Sequence, residues 1–106
     1  MTTIEQMSED LGIDKEDVLE FLSVFVDYTE NEDLPGLKSA LENRDVSTVR
    51  KRAHSIKGAA LNLQLNEVAS LAERIEKTAA ANSLEGVEAM YTDIQEQINA
   101  VRLLLP

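Results

Sequence analysis

The segment Val46–Leu63, with the sequence VSTVRKRAHSIKGAALNL, is the most informative part of the chain. Its apolar residues follow one another at alternating steps of three and four, namely Val46, Val49, Ala53, Ile56, Ala60 and Leu63. This spacing is typical of a helix that buries one continuous stripe. We therefore predict a helix over about residues 46–63, with Asp45 as its N-cap and Ser47 as a second choice.

The same segment concentrates positive charge around the only histidine. At about 100° per residue, His54 lies roughly 130° from the centre of the apolar stripe, so its ring is expected to face solvent. No carboxylate occurs between Val46 and Gln64, although the whole chain has a net charge of −10. The segment instead carries four basic residues, Arg50, Lys51, Arg52 and Lys57. We expect these cations to surround the histidine.

Gly58 follows His54 by four residues, which is one helical turn. A glycine inside a helix costs about 1 kcal/mol relative to alanine, so its presence calls for a reason. Here it would clear space for a large partner beside the ring, while Lys57 would bring a cation near anything bound there. The alternatives are a glycine that packs against another helix and a histidine that is merely solvated. Packing is disfavoured because residue 58 lies opposite the stripe.

Outward from this helix, the three- and four-residue spacing of apolar side chains continues along the whole chain. We predict a short helix over about residues 3–11, ended by Gly12, and a longer one from about Lys15 to Asn43. Pro35 should kink or briefly break the longer helix, unless Asp33 caps a fresh start. Two more helices are expected, one over about residues 66–81 and one that Asn82 and Ser83 open and that reaches about residue 105.

These elements predict an all-α protein, an antiparallel four-helix bundle over about residues 15–105 with a short extra N-terminal helix. A length of 106 residues suits a single domain over residues 1–106. The few aromatic residues are too scattered to form a ligand cage, and we expect them in the core or at its edge; they are Phe21, Phe25, Tyr28 and Tyr91.

Composition excludes several classes of function. The chain has no cysteine and one histidine, so disulfides, cysteine nucleophiles, thiolate or multi-histidine metal sites and most Ser-His-Asp triads are excluded. The acidic balance argues against nucleic acid or an anionic membrane as the main partner. No apolar run approaches the roughly 20 residues of a spanning helix, and the first residues do not resemble a signal peptide. The cytoplasm is the expected compartment.

Residues 53–63, AHSIKGAALNL, resemble the signature of histidine-containing phosphotransfer (HPt) domains, which reads His-x-Leu/Ile-Lys-Gly followed by small residues. The turn Asn43–Asp45 and the stretch Leu71–Glu76 are also similar to that family, and the resemblance covers about residues 15–105. Two features depart from the family pattern. Gln64 stands where a helix-ending glycine is usual. Either it adopts the left-handed conformation at a cost of roughly 1 kcal/mol, or the turn differs and Asn62 or Asn66 takes part in it. Pro35 interrupts a helix that is usually continuous.

The resemblance implies a phosphorelay carrier. His54 would take a phosphoryl group from the aspartate of one receiver domain and pass it to the aspartate of another, with Lys57 as a charge screen and Gly58 as clearance. No cofactor or metal is implied in this chain, because the receiver holds the Mg²⁺. The implied partners are receiver domains of response regulators or of a hybrid histidine kinase, and the carrier would be a monomer without kinase activity of its own. The residues expected to contact the partner are Arg50, Lys51, Leu61, Gln64 and Leu65.

Two other functions remain open at this point. The first is a module of the same fold that docks receivers without efficient phosphotransfer, for which Gln64 is the main support. The second is an unrelated acidic helical adaptor. An unrelated adaptor would not bind receiver domains, whereas the carrier and the docking module both would. Efficient phosphoryl transfer then distinguishes the carrier from the docking module.

Overall fold

The computed structural model describes residues 3–106, and every regular element in that range is helical. The short α1 packs on α2, α2 and α3 continue one another through a π-helical segment, and α4, α5 and α6 complete a bundle in which neighbouring helices pack pairwise. The prediction of an all-α four-helix bundle with a short extra N-terminal helix is confirmed. The bounds are Ile4–Leu11 for α1, Lys15–Tyr28 for α2, Thr29–Asp33 for the π-helical segment, Leu34–Glu42 for α3, Val46–Asn62 for α4, Asn66–Ala80 for α5 and Val87–Arg102 for α6.

The long first member of the bundle neither breaks nor restarts at Pro35. The segment Thr29–Asp33 instead widens into one π-helical turn, and the N–H of Leu34 donates to the carbonyl of Thr29. A proline has no N–H to donate, and its ring collides with the carbonyl of the preceding helical turn. In a π-helical turn each N–H donates to the carbonyl five residues earlier, so the carbonyls just before Pro35 take other positions than in an α-helix. Asp33 is not a cap, since its carboxylate is buried and accepts hydrogen bonds from Arg52 and from the Ser55 hydroxyl.

Helix α4 buries the predicted stripe, except that Val46 at its start is only half-buried. The carboxylate of Asp45 accepts a hydrogen bond from the N–H of Thr48, which confirms the predicted N-cap. At the other end, Gln64 itself takes the left-handed conformation, the first of the two alternatives, with a φ of 57°, and its N–H donates to the carbonyl of Leu61. The N–H of Leu65 donates to the carbonyl of Ala60, which completes a Schellman turn and leads directly into α5.

Two sequence predictions are wrong. The last helix begins at Val87 and not at Asn82, because Asn82 has a φ of 59° and belongs, with Ser83, to the turn that ends α5. The aromatic prediction is also wrong for Phe21 and Tyr28, which are 49% and 51% exposed. Both project from the outer side of α2, because its buried positions already fill the face toward the core.

Candidate functional site

His54 lies in the middle of α4, between the buried Ala53 and the half-buried Ser55, and its side chain is 67% exposed. The prediction that the ring faces solvent is confirmed. The ring lies on an open surface, and a depression of about 870 Å³ lies elsewhere on the molecule, lined by Lys38 and Glu88 among others. A reactive group on such an open surface is suited to meeting a protein rather than a small molecule held in a pocket.

The ring of His54 is held from one side by α5. Since α4 and α5 are joined by a tight turn and run antiparallel, Glu76 lies opposite His54. One carboxylate oxygen of Glu76 is 2.7 Å from Nδ1 of His54, and the other is 2.5 Å from Nζ of Lys57. The Glu76 side chain is only 16% exposed, so this single carboxylate links both residues within the groove between the helices.

This contact determines which ring nitrogen is free. The hydrogen bond from Lys57, supported by the one from His54, holds the pKa of Glu76 below its usual value, so the carboxylate is ionised at neutral pH. An ionised carboxylate can only accept hydrogen bonds, so the neutral ring must carry its proton on Nδ1. The Nε2 atom then has an unprotonated lone pair, which is the form a nucleophile needs.

Gly58 is exposed, and a Cβ atom built on it meets no heavy atom within 4 Å. The packing alternative is therefore excluded, because no neighbouring helix comes close to this glycine. Gly36 in α3 is the opposite case, since its Cβ would lie 2.6 Å from Nε of Arg52. The missing side chain of Gly58 thus leaves free space on the surface beside His54.

The basic residues of α4 do not all surround the histidine. Arg52 turns toward α3 and pairs with the buried Asp33 at 3.3 Å, and Lys57 is bound by Glu76. Arg50 and Lys51 are exposed, and within residues 3–106 neither lies within 4 Å of a carboxylate. The positive patch was expected to contain all four basic residues of α4, but it consists of Arg50 and Lys51 alone.

The remaining residues expected to bind a partner lie toward the C-terminal end of α4. Leu61 is 53% exposed, Gln64 is exposed in the turn, and Leu65 is half-buried. The pairing of Asp33 with Ser55 places the π-helical segment, which follows α2, beside the middle of α4.

The sequence interpretation missed two features of this face. The first is an apolar stripe on α2 made of Phe21, Val24 and Tyr28, each about half exposed or more. The pairing of Glu30 with Arg102 marks the side of the adjoining π-helical segment that faces α6, and by helical rotation Phe21 and Tyr28 project away from α6. Their spacing of three and four was the available signal, hidden by the core-facing residues between them.

The second missed feature is Glu76. It is separated from His54 by 22 residues, so no local spacing connects them. The signal was the symmetry of the α4–α5 hairpin, because residues 54 and 76 are equally distant from Leu65 in its turn. Within the described residues, no cluster of three or more acidic or histidine side chains could hold a metal ion, and no helix is long and apolar enough to cross a membrane.

Comparison with family models matches residues 20–103 to the Hpt domain. Because this match covers most of the chain, the protein belongs to the Hpt domain family. Members of this family are helical bundles that act as phosphocarriers in two-component phosphorelays and are not stand-alone enzymes. The alternative of an unrelated acidic adaptor is therefore wrong. No curated protein and no solved structure shows a significant match.

Proposed function

We propose that this protein carries a phosphoryl group between receiver domains and that Nε2 of His54 is the atom that accepts and donates it. One observation above all supports this assignment: Nδ1 of His54 is held by Glu76 at 2.7 Å, while the ring is otherwise exposed. The open surface at Gly58 supports it further, because a receiver domain must come close enough for its aspartate to reach the ring.

In the proposed transfer, the lone pair of Nε2 attacks the phosphorus of an aspartyl phosphate on the receiver. The N–P bond forms as the P–O bond to the aspartate breaks, and the electron pair leaves with the carboxylate. The proton on Nδ1 stays in its hydrogen bond to Glu76, so the ring becomes a phosphoimidazolium, whose positive charge faces the Glu76 carboxylate. Transfer to the next receiver is the reverse of these steps. Mg²⁺ is expected on the receiver, and this chain supplies no metal ligand to the reaction.

Glu76 acts in this proposal as a positioning residue. It keeps the ring in the Nδ1–H tautomer and fixes its orientation. Lys57 lies on the same carboxylate and screens charge around the ring. Gly58 provides clearance for the partner.

The proposed docking face surrounds Gly58. Its apolar part comes from residues at the C-terminal half of α4 and from the exposed apolar stripe of α2. Gln64 contributes from the turn between α4 and α5, and the cations lie toward the N-terminal end of α4. A receiver of a response regulator, or of a hybrid histidine kinase, would cover this face, with the carrier acting as a monomer in the cytoplasm. The residues are Phe21, Val24, Tyr28, Leu61, Gln64 and Leu65, with Arg50 and Lys51 as the cations.

Incubation with phosphorylated receiver domains tests the proposal. We expect a label on the carrier that is labile in acid and stable in alkali, and that is lost in His54→Gln while receiver binding is kept. Binding of a receiver without any label on the wild type would favour a docking module. Failure to take label from a panel of receivers would contradict the carrier function.

A further inference from the structure

The charge beside the ring is already balanced before any phosphoryl group arrives. With the imidazole neutral, the carboxylate of Glu76 and the ammonium of Lys57 cancel, and they contact each other at 2.5 Å. A phosphoryl group on Nε2 carries up to two negative charges at neutral pH, and the ring that keeps its Nδ1 proton balances only one of them. Lys57 can serve the phosphoryl group only by sharing or leaving Glu76, so cations from elsewhere are needed for compensation.

Arg50 and Lys51 are suitably placed to supply them. They precede His54 by four and three residues, so they lie on both sides of it one turn toward the start of α4. Side chains on a helix lean toward its N-terminus, which directs the His54 ring over this turn. Along α5, the antiparallel pairing places uncharged residues near the level of Arg50, namely Ala80, Ala81 and Asn82.

The acidic groups nearby form no ion pair within 4 Å with these two cations. The hydrogen bonds from the hydroxyl and N–H of Thr48 lower the pKa of Asp45, and the charge of Lys51 adds to that effect without a direct contact. Asp33 is buried and forms its ion pair with Arg52. Glu32, in the same π-helical segment, forms no ion pair within 4 Å with either Arg50 or Lys51. Arg50 and Lys51 therefore remain available to a newly introduced anion.

We infer that Arg50 and Lys51 contact the phosphoryl group on His54 and compensate its charge, a role beyond contact with the partner. This inference rests on the proposed function, since it concerns the phosphorylated carrier. It also explains why the two exposed cations flank the ring while the other two basic residues of α4 are bound to carboxylates.

The ionisation of the phosphoryl group depends on the charges around it, so its titration can test whether Arg50 and Lys51 lie close to it. Potassium phosphoramidate serves as a donor that needs no receiver. Nε2 attacks its phosphorus, the N–P bond to the ring forms as the donor's own P–N bond breaks, and the electron pair leaves with the protonated nitrogen of the donor as ammonia. The variant Arg50→Ala/Lys51→Ala is compared with the wild type and with Lys38→Ala/Arg74→Ala. This control removes the same charge from exposed sites on α3 and α5. His54→Gln is the blank, and thermal melts followed by circular dichroism check that each variant folds.

The measured quantity is the pH at which the ³¹P signal of the phosphohistidine titrates between its mono- and dianionic forms. Losing the two cations should raise that pH by roughly 0.5 at low ionic strength, with a smaller change at high salt. The control variant should titrate like the wild type. Normal labelling with equal titration in all three proteins would overturn this inference alone. Absence of a phosphohistidine signal from the wild type would overturn the proposed function and this inference with it.

Discussion

At the scale of single residues, the reactivity of His54 depends on one hydrogen-bond acceptor. Glu76 holds Nδ1 and Lys57 at once, and it is largely buried between α4 and α5. An exposed imidazole without such an acceptor exchanges between two tautomers, of which only one has its lone pair on Nε2. The groove between the helices therefore prepares the ring for phosphorylation before any partner arrives.

Glu76→Leu should release the ring of His54. The ¹⁵N chemical shifts of the ring should change from a single Nδ1–H tautomer to a mixture, because the leucine side chain cannot accept a hydrogen bond. Phosphorylation should slow by roughly tenfold, as is typical when a group that orients a reactive imidazole is removed. Glu76→Gln retains an acceptor oxygen and should keep most of both properties. An unchanged tautomer in Glu76→Leu would show that Glu76 does not position the ring.

Gly58→Ala should make the protein more stable and less active at once. Its Cβ meets nothing within 4 Å, so the free energy of unfolding in urea should rise by about 1 kcal/mol from helix propensity. Transfer from a phosphorylated receiver should fall, because the methyl group occupies space that the partner needs. Gly36→Ala is the matched comparison and should be destabilising, since its Cβ displaces Arg52 from Asp33. Undiminished transfer by Gly58→Ala would contradict the role in clearance.

At the scale of helices, the turns that end α3, α4 and α5 use left-handed residues other than glycine, whereas α1 ends at the left-handed Gly12. Arg44, Gln64 and Asn82 have φ values of 54°, 57° and 59°, and each follows a helix in a Schellman turn. The turn at Gln64 determines how α5 returns along α4, and so it determines that Glu76 meets His54. The departure from the family's usual glycine changes the local cost of this turn and leaves its geometry intact.

Gln64→Gly should therefore raise the free energy of unfolding by about 1 kcal/mol, because glycine has no Cβ to strain in the left-handed region. Gln95→Gly, at an exposed position inside α6, should lower it by about the same amount. Urea titration measures the free energy of unfolding of both variants and of the wild type. A destabilised Gln64→Gly would show that the glutamine side chain contributes more to the turn than its conformation costs.

The helices themselves could be predicted from sequence because their signals are local. The stripe of α4, the cap at Asp45 and the left-handed Gln64 all depend on residues within a few positions of one another. Pro35 indicated a local distortion of the long helix, but the contacts of the buried Asp33 with Arg52 and Ser55 could not be predicted, since they require the packing of two helices. Within the site, the exposure of His54 followed from rotation along one helix, whereas its contact with Glu76 required the packing of two.

At the scale of the whole molecule, an acidic protein presents one face with unpaired positive charge. The chain has a net charge of −10, and two of the four basic residues of α4 are bound to carboxylates of neighbouring elements. Those ion pairs join the π-helical segment to α4, and α4 to α5. They therefore contribute to holding the bundle together as well as to the site.

The stability of the bundle should depend on Glu76 in acid. The folded pKa of Glu76 is below its usual value, so its contribution is fully present above the unfolded glutamate pKa of about 4.3 and is lost as the pH falls below it. Wild type and Glu76→Gln should differ most in urea-unfolding free energy near neutral pH, and the difference should shrink in acid. Glu73→Gln, at an exposed position on the same helix, should differ little from the wild type at any pH. A gap between wild type and Glu76→Gln that stays constant from pH 7 to pH 3 would contradict this linkage.

The most direct measurement is the identity of the nitrogen that carries the phosphoryl group. Wild-type protein labelled with ¹⁵N at histidine and phosphorylated by a receiver should show coupling between ³¹P and Nε2 of His54, with the proton retained on Nδ1. Since His54 is the only histidine, the assignment is unambiguous. Phosphorus bonded to Nδ1, or no phosphorus on His54 while a receiver still binds, would contradict the account.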